Sequence, residues 1–243
     1  MKPRLLALTA TVAALLVAGS ANAAMTISFS ELDWSINAGE TEITQFQGGP
    51  TLGAIAFDGP GFSLSGTAQL FTGSVVGVSA APAMPSSASV YNGSTGRDGT
   101  QYLSIQGGQT ATLTIGGAGL SEISLYVGSL DTYNTLSFHY VDGTSGPAIN
   151  GQTVADMTIV NQANGNQQSG NTNGRLTLTF DKPINGVTLG SSQNAFEISE
   201  LAGISAAVPE PASWALFIAG FGATGAALRA QRRQRLVPVR LRT

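Results

Sequence analysis

The sequence predicts an all-β protein: an antiparallel β-sandwich of jelly-roll-like type, with an N-terminal signal helix and a C-terminal transmembrane helix. Three observations predict it. Short runs of apolar residues alternate with Ser and Thr, the period-2 pattern of half-buried strands. Charged residues make up only 10% of the chain while Gly numbers 31, and a typical domain is ~25% charged. That balance leaves few of the Lys, Arg and Glu residues that favour helices. Finally, Asn-Gly occurs at Asn92, Asn150, Asn164, Asn173 and Asn185, and Asp-Gly at Asp58, Asp98 and Asp142. Both dipeptides accept the φ > 0 of tight hairpin turns.

Taken in chain order, residues 1–23 read as a secretory signal. Lys2 and Arg4 precede an uncharged run from Leu5 to Ala18, and Ala21-Asn22-Ala23 forms a small-x-small cleavage site. The β-sandwich is expected over 24–205. Its strands are marked by Ile27 and Phe29, Phe62 and Leu64, Leu113 and Ile115, and the set Ile123, Leu125 and Val127. Leu136, Phe138 and Tyr140, then Leu176, Leu178 and Phe180, then Phe196 and Ile198 complete the series. Asp142-Gly143 follows the strand around Phe138 and predicts a hairpin there. No stretch of 24–205 has a helical apolar period. The run 161–174, "NQANGNQQSGNTNG", predicts an exposed polar loop, and Ala81–Ser87 a second loop held by Pro82 and Pro85.

Residues 206–211 form a linker containing Pro209, Glu210 and Pro211. Each proline biases its predecessor away from the α region, so this step is extended, and Pro211 suits the first turn of a helix. The helix is expected over 212–228. Trp214 to Leu228 carries no charge, and small residues recur at Ala219, Ala223 and Ala227. That run rises ~22 Å against a ~30 Å hydrocarbon core, so spanning needs flanking residues and snorkelling arginines. The tail 229–243 holds Arg229, Arg232, Arg233, Arg235, Arg240 and Arg242, which the positive-inside rule keeps cytoplasmic.

Charge and composition exclude several functions. The net charge is −3, yet residues 24–228 contain all 14 acidic residues and only Arg97, Arg175 and Lys182 as bases. Such a body does not bind nucleic acid, because phosphates require a basic surface. The chain has no Cys, which removes disulfides, thiolate catalysis and Cys-ligated zinc. His139 is the single histidine and lies on the strand face opposite Phe138 and Tyr140. No G-x-S-x-G, H-E-x-x-H or P-loop pattern occurs. No catalytic residue is therefore assigned and the body is read as non-enzymatic.

One loop offers ligand chemistry. Asp131 and Asn134 present two oxygens around Tyr133, which calcium or a polar ligand could use. The favoured alternative is that Asp131 caps its own turn. Tyr91, Tyr102, Tyr133 and Trp34 are aromatic candidates for stacking on sugar faces, with ordinary strand packing as the competing role.

The order Pro-Glu-Pro, Trp214-Ala215, an apolar Gly-rich stretch and an Arg cluster, "PEPASWALFIAGFGATGAALRAQRRQR", resembles the PEP-CTERM sorting signal in its PEPxxWA variant. The resemblance implies processing by exosortase, a membrane enzyme, and delivery to the cell surface of a Gram-negative bacterium after a transient inner-membrane stage. "LYVGSLDTYNTLSF" and "AFEISELA" resemble segments of other exosortase-dependent surface proteins, which implies a shared fold. The expectation is an exported matrix or surface protein associated with exopolysaccharide or biofilm. A lectin-like carbohydrate-binding module and, more distantly, a secreted glycan-acting hydrolase are the alternatives.

Overall fold

The computed structural model describes residues 25–49, 56–59, 61–158, 163–207 and 211–234. The signal segment 1–23, Pro209, Glu210 and Arg235 lie outside them. So do the side chains of Pro211, Arg232 and Arg233. Strands are β1 (Met25–Glu31), β2 (Thr41–Thr44), β3 (Ala56–Gly59), β4 (Phe62–Gly66), β5 (Gln69–Thr72) and β6 (Gln101–Ile105). They continue as β7 (Thr110–Ile115), β8 (Leu120–Gly128), β9 (Asn134–Tyr140), β10 (Ile149–Asn150), β11 (Gly174–Ser191) and β12 (Phe196–Ser205). Two helices, α1 (Gly151–Met157) and α2 (Pro211–Gln234), complete the described elements.

The all-β expectation holds, and every pairing is antiparallel. The architecture is one curled sheet of twelve strands rather than two separate sheets. The joint is β11. Its first half pairs with β1 and β8, and its second half with β7 and β9. Leu176, Leu178, Phe180 and Ile184 are buried at even positions, Val187 and Leu189 at odd ones. The register shift between Ile184 and Gly186 makes this change of parity. A bulge adds one residue and turns the following side chains back to the same side. Both halves of β11 thereby feed one core with Ile123, Leu125, Leu136 and Phe138.

The Asp142-Gly143 hairpin is present. Tyr140 N–H donates to Thr144 O at 2.8 Å, Gly143 has φ 82°, and β10 returns along β9 with Ile149 opposite Leu136. The Asn-Gly dipeptides do other work. Asn185-Gly186 is the bulge of β11. Asn150 caps α1, accepting from Thr153 N at 2.9 Å in a capping box, which satisfies an orphan helix donor. α1 itself corrects the expectation of a helix-free body. Its seven residues are too few for a visible apolar period.

The polar run is exposed along most of its described length, at Asn164, Asn166, Gln167, Gln168 and Asn171. Its end differs from expectation, since Thr172 and Asn173 are buried at 1% and 0% exposure. Asn173 Oδ1 accepts from Ala83 N at 3.0 Å and Ser129 N at 3.1 Å. Its Nδ2 donates to Asn166 O at 2.8 Å and Ser169 O at 2.9 Å. Polar residues pack here because each amide valence finds a partner. The first half of the loop Ala81–Ser87 lies inward, with Ala81, Ala83 and Met84 buried, while Ser86 and Ser87 are exposed.

These segments roof the outer face of the sheet. In β12, Phe196, Ile198 and Leu201 enter the core, while Glu197 and Glu200 are buried on the other side. Arg175 of β11 pairs with Glu200 at 2.5 Å, and also donates to Ser124 Oγ at 3.0 Å and Trp34 O at 2.8 Å. Trp34 packs edge-on against Tyr126, whose hydroxyl donates to Ala83 O at 2.6 Å. Gly128 leaves room for Pro82, since a Cβ there would come within 2.7 Å of the ring.

Among the described residues, no helix is both long and apolar enough to cross a membrane. α2 has 24 residues, but Gly220, Gly222, Thr224 and Gly225 dilute its apolar stretch and Arg229 ends it. The expected transmembrane helix is thus not found. Its side chains from Trp214 to Ala230 are exposed, Gly225 being half-buried.

Removing one partner of a buried pair leaves an uncompensated charge. Arg175→Met should therefore lower stability by about 3–5 kcal/mol, and adding Glu200→Leu should restore most of it. Urea unfolding of the two variants checks this.

Candidate functional site

A cleft of about 320 Å³ opens where β8 leaves the sheet and β12 enters it. Its walls include Asp131, Tyr133, Gln167, Asn194 and the loop from Ser74 to Ala80, with Glu197 at the floor. The bend after β8 places these groups. Ser129 has φ 43°, a left-handed value that a non-glycine residue adopts at a cost of order 1 kcal/mol. Two hydrogen bonds hold it: its N–H donates to Asn173 Oδ1, and its hydroxyl donates to Glu197 Oε2 at 2.6 Å.

The roof over Glu197 is a tight loop. Val75 N–H donates to Ser79 O at 2.8 Å and Ser79 N–H to Val75 O at 3.0 Å. Gly77 has φ 72°, and Val76 at the lip is fully exposed. Ala80 N–H then donates to Glu197 Oε1 at 2.9 Å. Ser79 Oγ lies 3.5 Å from the same oxygen, 2.8 Å from Ser104 Oγ and 3.2 Å from the Tyr102 hydroxyl. Tyr102 donates onward to Gly73 O at 2.7 Å. The loop is therefore tied to the sheet by a polar chain that ends on one carboxyl.

Electrostatics follow from burial. Burial pushes the Glu197 carboxyl up to about 7, against the donors from Ala80 and Ser129 that favour its charged form. Burial also raises Asp131, partly offset by the Tyr133 hydroxyl. Tyr133 is raised by burial and by Asp131, and burial pushes Tyr102 up to about 12. A carboxyl poised near neutrality matches general acid–base work. Access does not: Glu197 is 1% exposed and both its oxygens already accept hydrogen bonds. The groups that meet the open volume are Asp131, Tyr133, Gln167 and Asn194. Of these, Asn194 already accepts from Gly107 N at 2.9 Å and donates to Gly77 O at 3.1 Å, and the Tyr133 hydroxyl donates to Asn194 O at 3.0 Å. The wall thus presents the Asp131 carboxyl, the Gln167 amide, the Tyr133 ring and the remaining valences of Asn194.

The sequence-derived candidates separate here. Asp131 and Tyr133 share the cleft. Asn134 does not join them as a ligand. It is fully buried, its Oδ1 accepts from Asp131 N at 2.6 Å, and its Nδ2 points to Ser191 Oγ and Ala195 O. The turn role is met by Asn134 rather than by Asp131. Among the described residues, no group of three or more His, Asp or Glu side chains is gathered to hold a metal ion. Tyr102 is buried, Trp34 is packed on Tyr126, and Tyr91 sits in a separate shallow hollow with Arg97. His139 is outward and lies 3.2 Å from Thr188 Oγ1. Sequence reasoning missed Glu197, Ser129 and Asn194. The available signal was Glu197 between two core apolar residues in a strand beside small residues.

The pH dependence carries a definite sign. Glu197 ionises at about 7 when folded against an ordinary 4.5. The folded state therefore binds more protons between these values, and stability falls as pH rises from about 4.5 to about 7. The loss attributable to this group is roughly 3 kcal/mol, since one pKa unit corresponds to about 1.4 kcal/mol. Urea midpoints measured from pH 4 to pH 8 should show the decline, and Glu197→Gln should flatten it.

The last strand leads directly from this region into the C-terminal segment. Residues 207–233 match the family model of the PEP-CTERM protein-sorting motif, and the β-domain lies outside the match. No curated protein matches the chain. The matched span includes Pro209, Glu210, Pro211, Trp214, Ala215, Arg229, Arg232 and Arg233. It supports export and surface sorting by exosortase, a membrane enzyme, in Gram-negative bacteria. The chain carries a PEP-CTERM protein-sorting motif at residues 207–233, immediately after β12.

Proposed function

We propose that the protein is a non-catalytic surface or matrix protein whose β-domain is exported, released from its sorting tail by exosortase and displayed in association with extracellular polysaccharide. The observation that carries this reading is the junction itself. The sorting motif begins at residue 207, two positions after β12 ends at Ser205. The chain therefore passes from a finished sheet to its address with no further domain between. Two features support a carrier rather than an enzyme. Glu197 is 1% exposed and both its oxygens already accept hydrogen bonds, and no G-x-S-x-G, H-E-x-x-H or P-loop pattern occurs in the chain. Among the described residues the acidic body carries an exposed ion pair, Lys182 with Asp142, and a contiguous core of aliphatic and aromatic side chains, in a chain without cysteine.

A second reading draws on the cleft. Asp131, Gln167 and Asn194 beside the Tyr133 ring form the mixture of hydroxyl-binding groups and an apolar face that sugars require. In this reading the domain holds a glycan chain directly.

Mass spectrometry of surface-associated protein should give a mature chain lacking Arg229–Arg242. An intact chain retained in the inner membrane would refute the sorting reading. A glycan array should show binding that Tyr133→Ala weakens by at least tenfold. Sugar release that is lost in Glu197→Gln would instead make the domain a hydrolase.

A further inference from the structure

We infer that the end of the β-domain around the Gly116–Gly119 turn is a docking surface for the processing enzyme, so that the folded domain is part of the substrate. The inference rests on the sorting reading above and adds a partner surface to it.

The tether sets the geometry. Ala206 is buried, and its N–H donates to Gly119 O at 2.9 Å. The chain is thus fixed to the domain at residue 206. Pro209 follows three residues later, and an extended chain advances ~3.5 Å per residue, so it lies at most about 10 Å from that anchor. Pro211 lies at most about 18 Å away by the same measure. A folded protein of only ~100 residues already has a radius of gyration of ~13 Å, so an enzyme that encloses the Pro-Glu-Pro step extends beyond this gap. It must therefore meet whatever surrounds Ala206.

What surrounds Ala206 is suited to such a contact. A cleft of about 500 Å³ lies beside it, lined by Ile43, Phe62, Ile115, Ala118 and Leu120. Ile43, Phe62, Ile115 and Ala118 are half-buried, leaving apolar surface open. Glu42 is the charged residue among its walls, in a body rich in acids. The lip is glycine, from Gly61, Gly116, Gly117 and Gly119. Gly119 has φ 77°, and a Cβ there would come within 2.4 Å of Ile184 O. The turn is consequently held in a low, side-chain-free shape that lets a partner approach the backbone. The matching partner surface is an apolar, uncharged patch on the outer side of the membrane enzyme, beside the groove that receives the peptide.

The test uses the full chain in the exporting cell, with processing followed by pulse-chase and the mature C-terminus read by mass spectrometry. Ala118→Glu places a charge on the lip. A six-residue Gly-Ser insertion between Ala206 and Ala207 leaves the domain and the matched segment 207–233 intact but frees the peptide from the anchor. Both should slow processing at least fivefold at an unchanged melting temperature. Met157→Glu, on an exposed position of α1, should be processed at the parent rate. Parent-rate processing of either the Ala118→Glu or the insertion variant overturns the docking inference. A parent chain that is never processed overturns the sorting reading instead.

Discussion

The fold depends on keeping buried ionisable and polar side chains hydrogen-bonded on the outer face of its central strands. Glu197, Glu200 and Arg175 are each at most 2% exposed. A buried charge without partners costs several kcal/mol. The sheet therefore cannot be completed by strands alone. The segment 32–37 supplies the Trp34 carbonyl to Arg175, and the loop 74–83 supplies the Ala80 N–H to Glu197; Asn173, from the run 163–173, ties that loop to Ser129 by accepting from Ala83 N and Ser129 N. Three loops that look dispensable in sequence are bound to the sheet by this need. Burial of apolar surface drives collapse, and the polar layer then selects one arrangement of the loops.

The same layer shapes the candidate site. The Glu197 carboxyl draws Ala80 and Ser129 toward one point, and the space left beside them is the cleft with Asp131 and Tyr133. The site is thus a by-product of how the roof closes, with its most perturbed carboxyl spent on structure. At the other end of β12, Ala206 is anchored to Gly119 one residue before the sorting motif begins.

Much of the fold was legible in the sequence, and the reasons for the exceptions are physical. The strands around Ile27, Leu113, Leu125, Phe138 and Leu178 alternate because one face meets the core and the other stays polar. β6 hides from that rule, since Tyr102 and Ser104 on its outer face are as buried as Leu103 and Ile105. β2 and β5 have four residues each, too few to show a period. The Asn-Gly dipeptides indicated turns, but Asn150 became a helix cap and Asn185-Gly186 a bulge, uses that share the same local backbone freedom. The polar run 161–174 predicts a solvated loop, and Asn164, Asn166, Gln167, Gln168 and Asn171 are exposed; Thr172 and Asn173 are buried because they find hydrogen-bond partners, which composition does not show. At the site, Asp131 and Tyr133 were visible as a loop pair. Glu197 was not, because the roof that buries it comes from residues more than a hundred positions earlier. The sorting segment was the most legible part, since its signal is an order of residue types and not a packing arrangement.

The central claim is that the domain ending at β12 stands alone and that α2 belongs to the address rather than to the fold. The exposed side chains from Trp214 to Ala230 carry that claim. Thermal unfolding of the chain 24–207 against the chain 24–243, in the same detergent, tests it most directly. The account predicts one cooperative transition with the same midpoint in both. A midpoint several degrees lower in the shortened chain would show that the C-terminal segment holds the domain together, and would contradict the account.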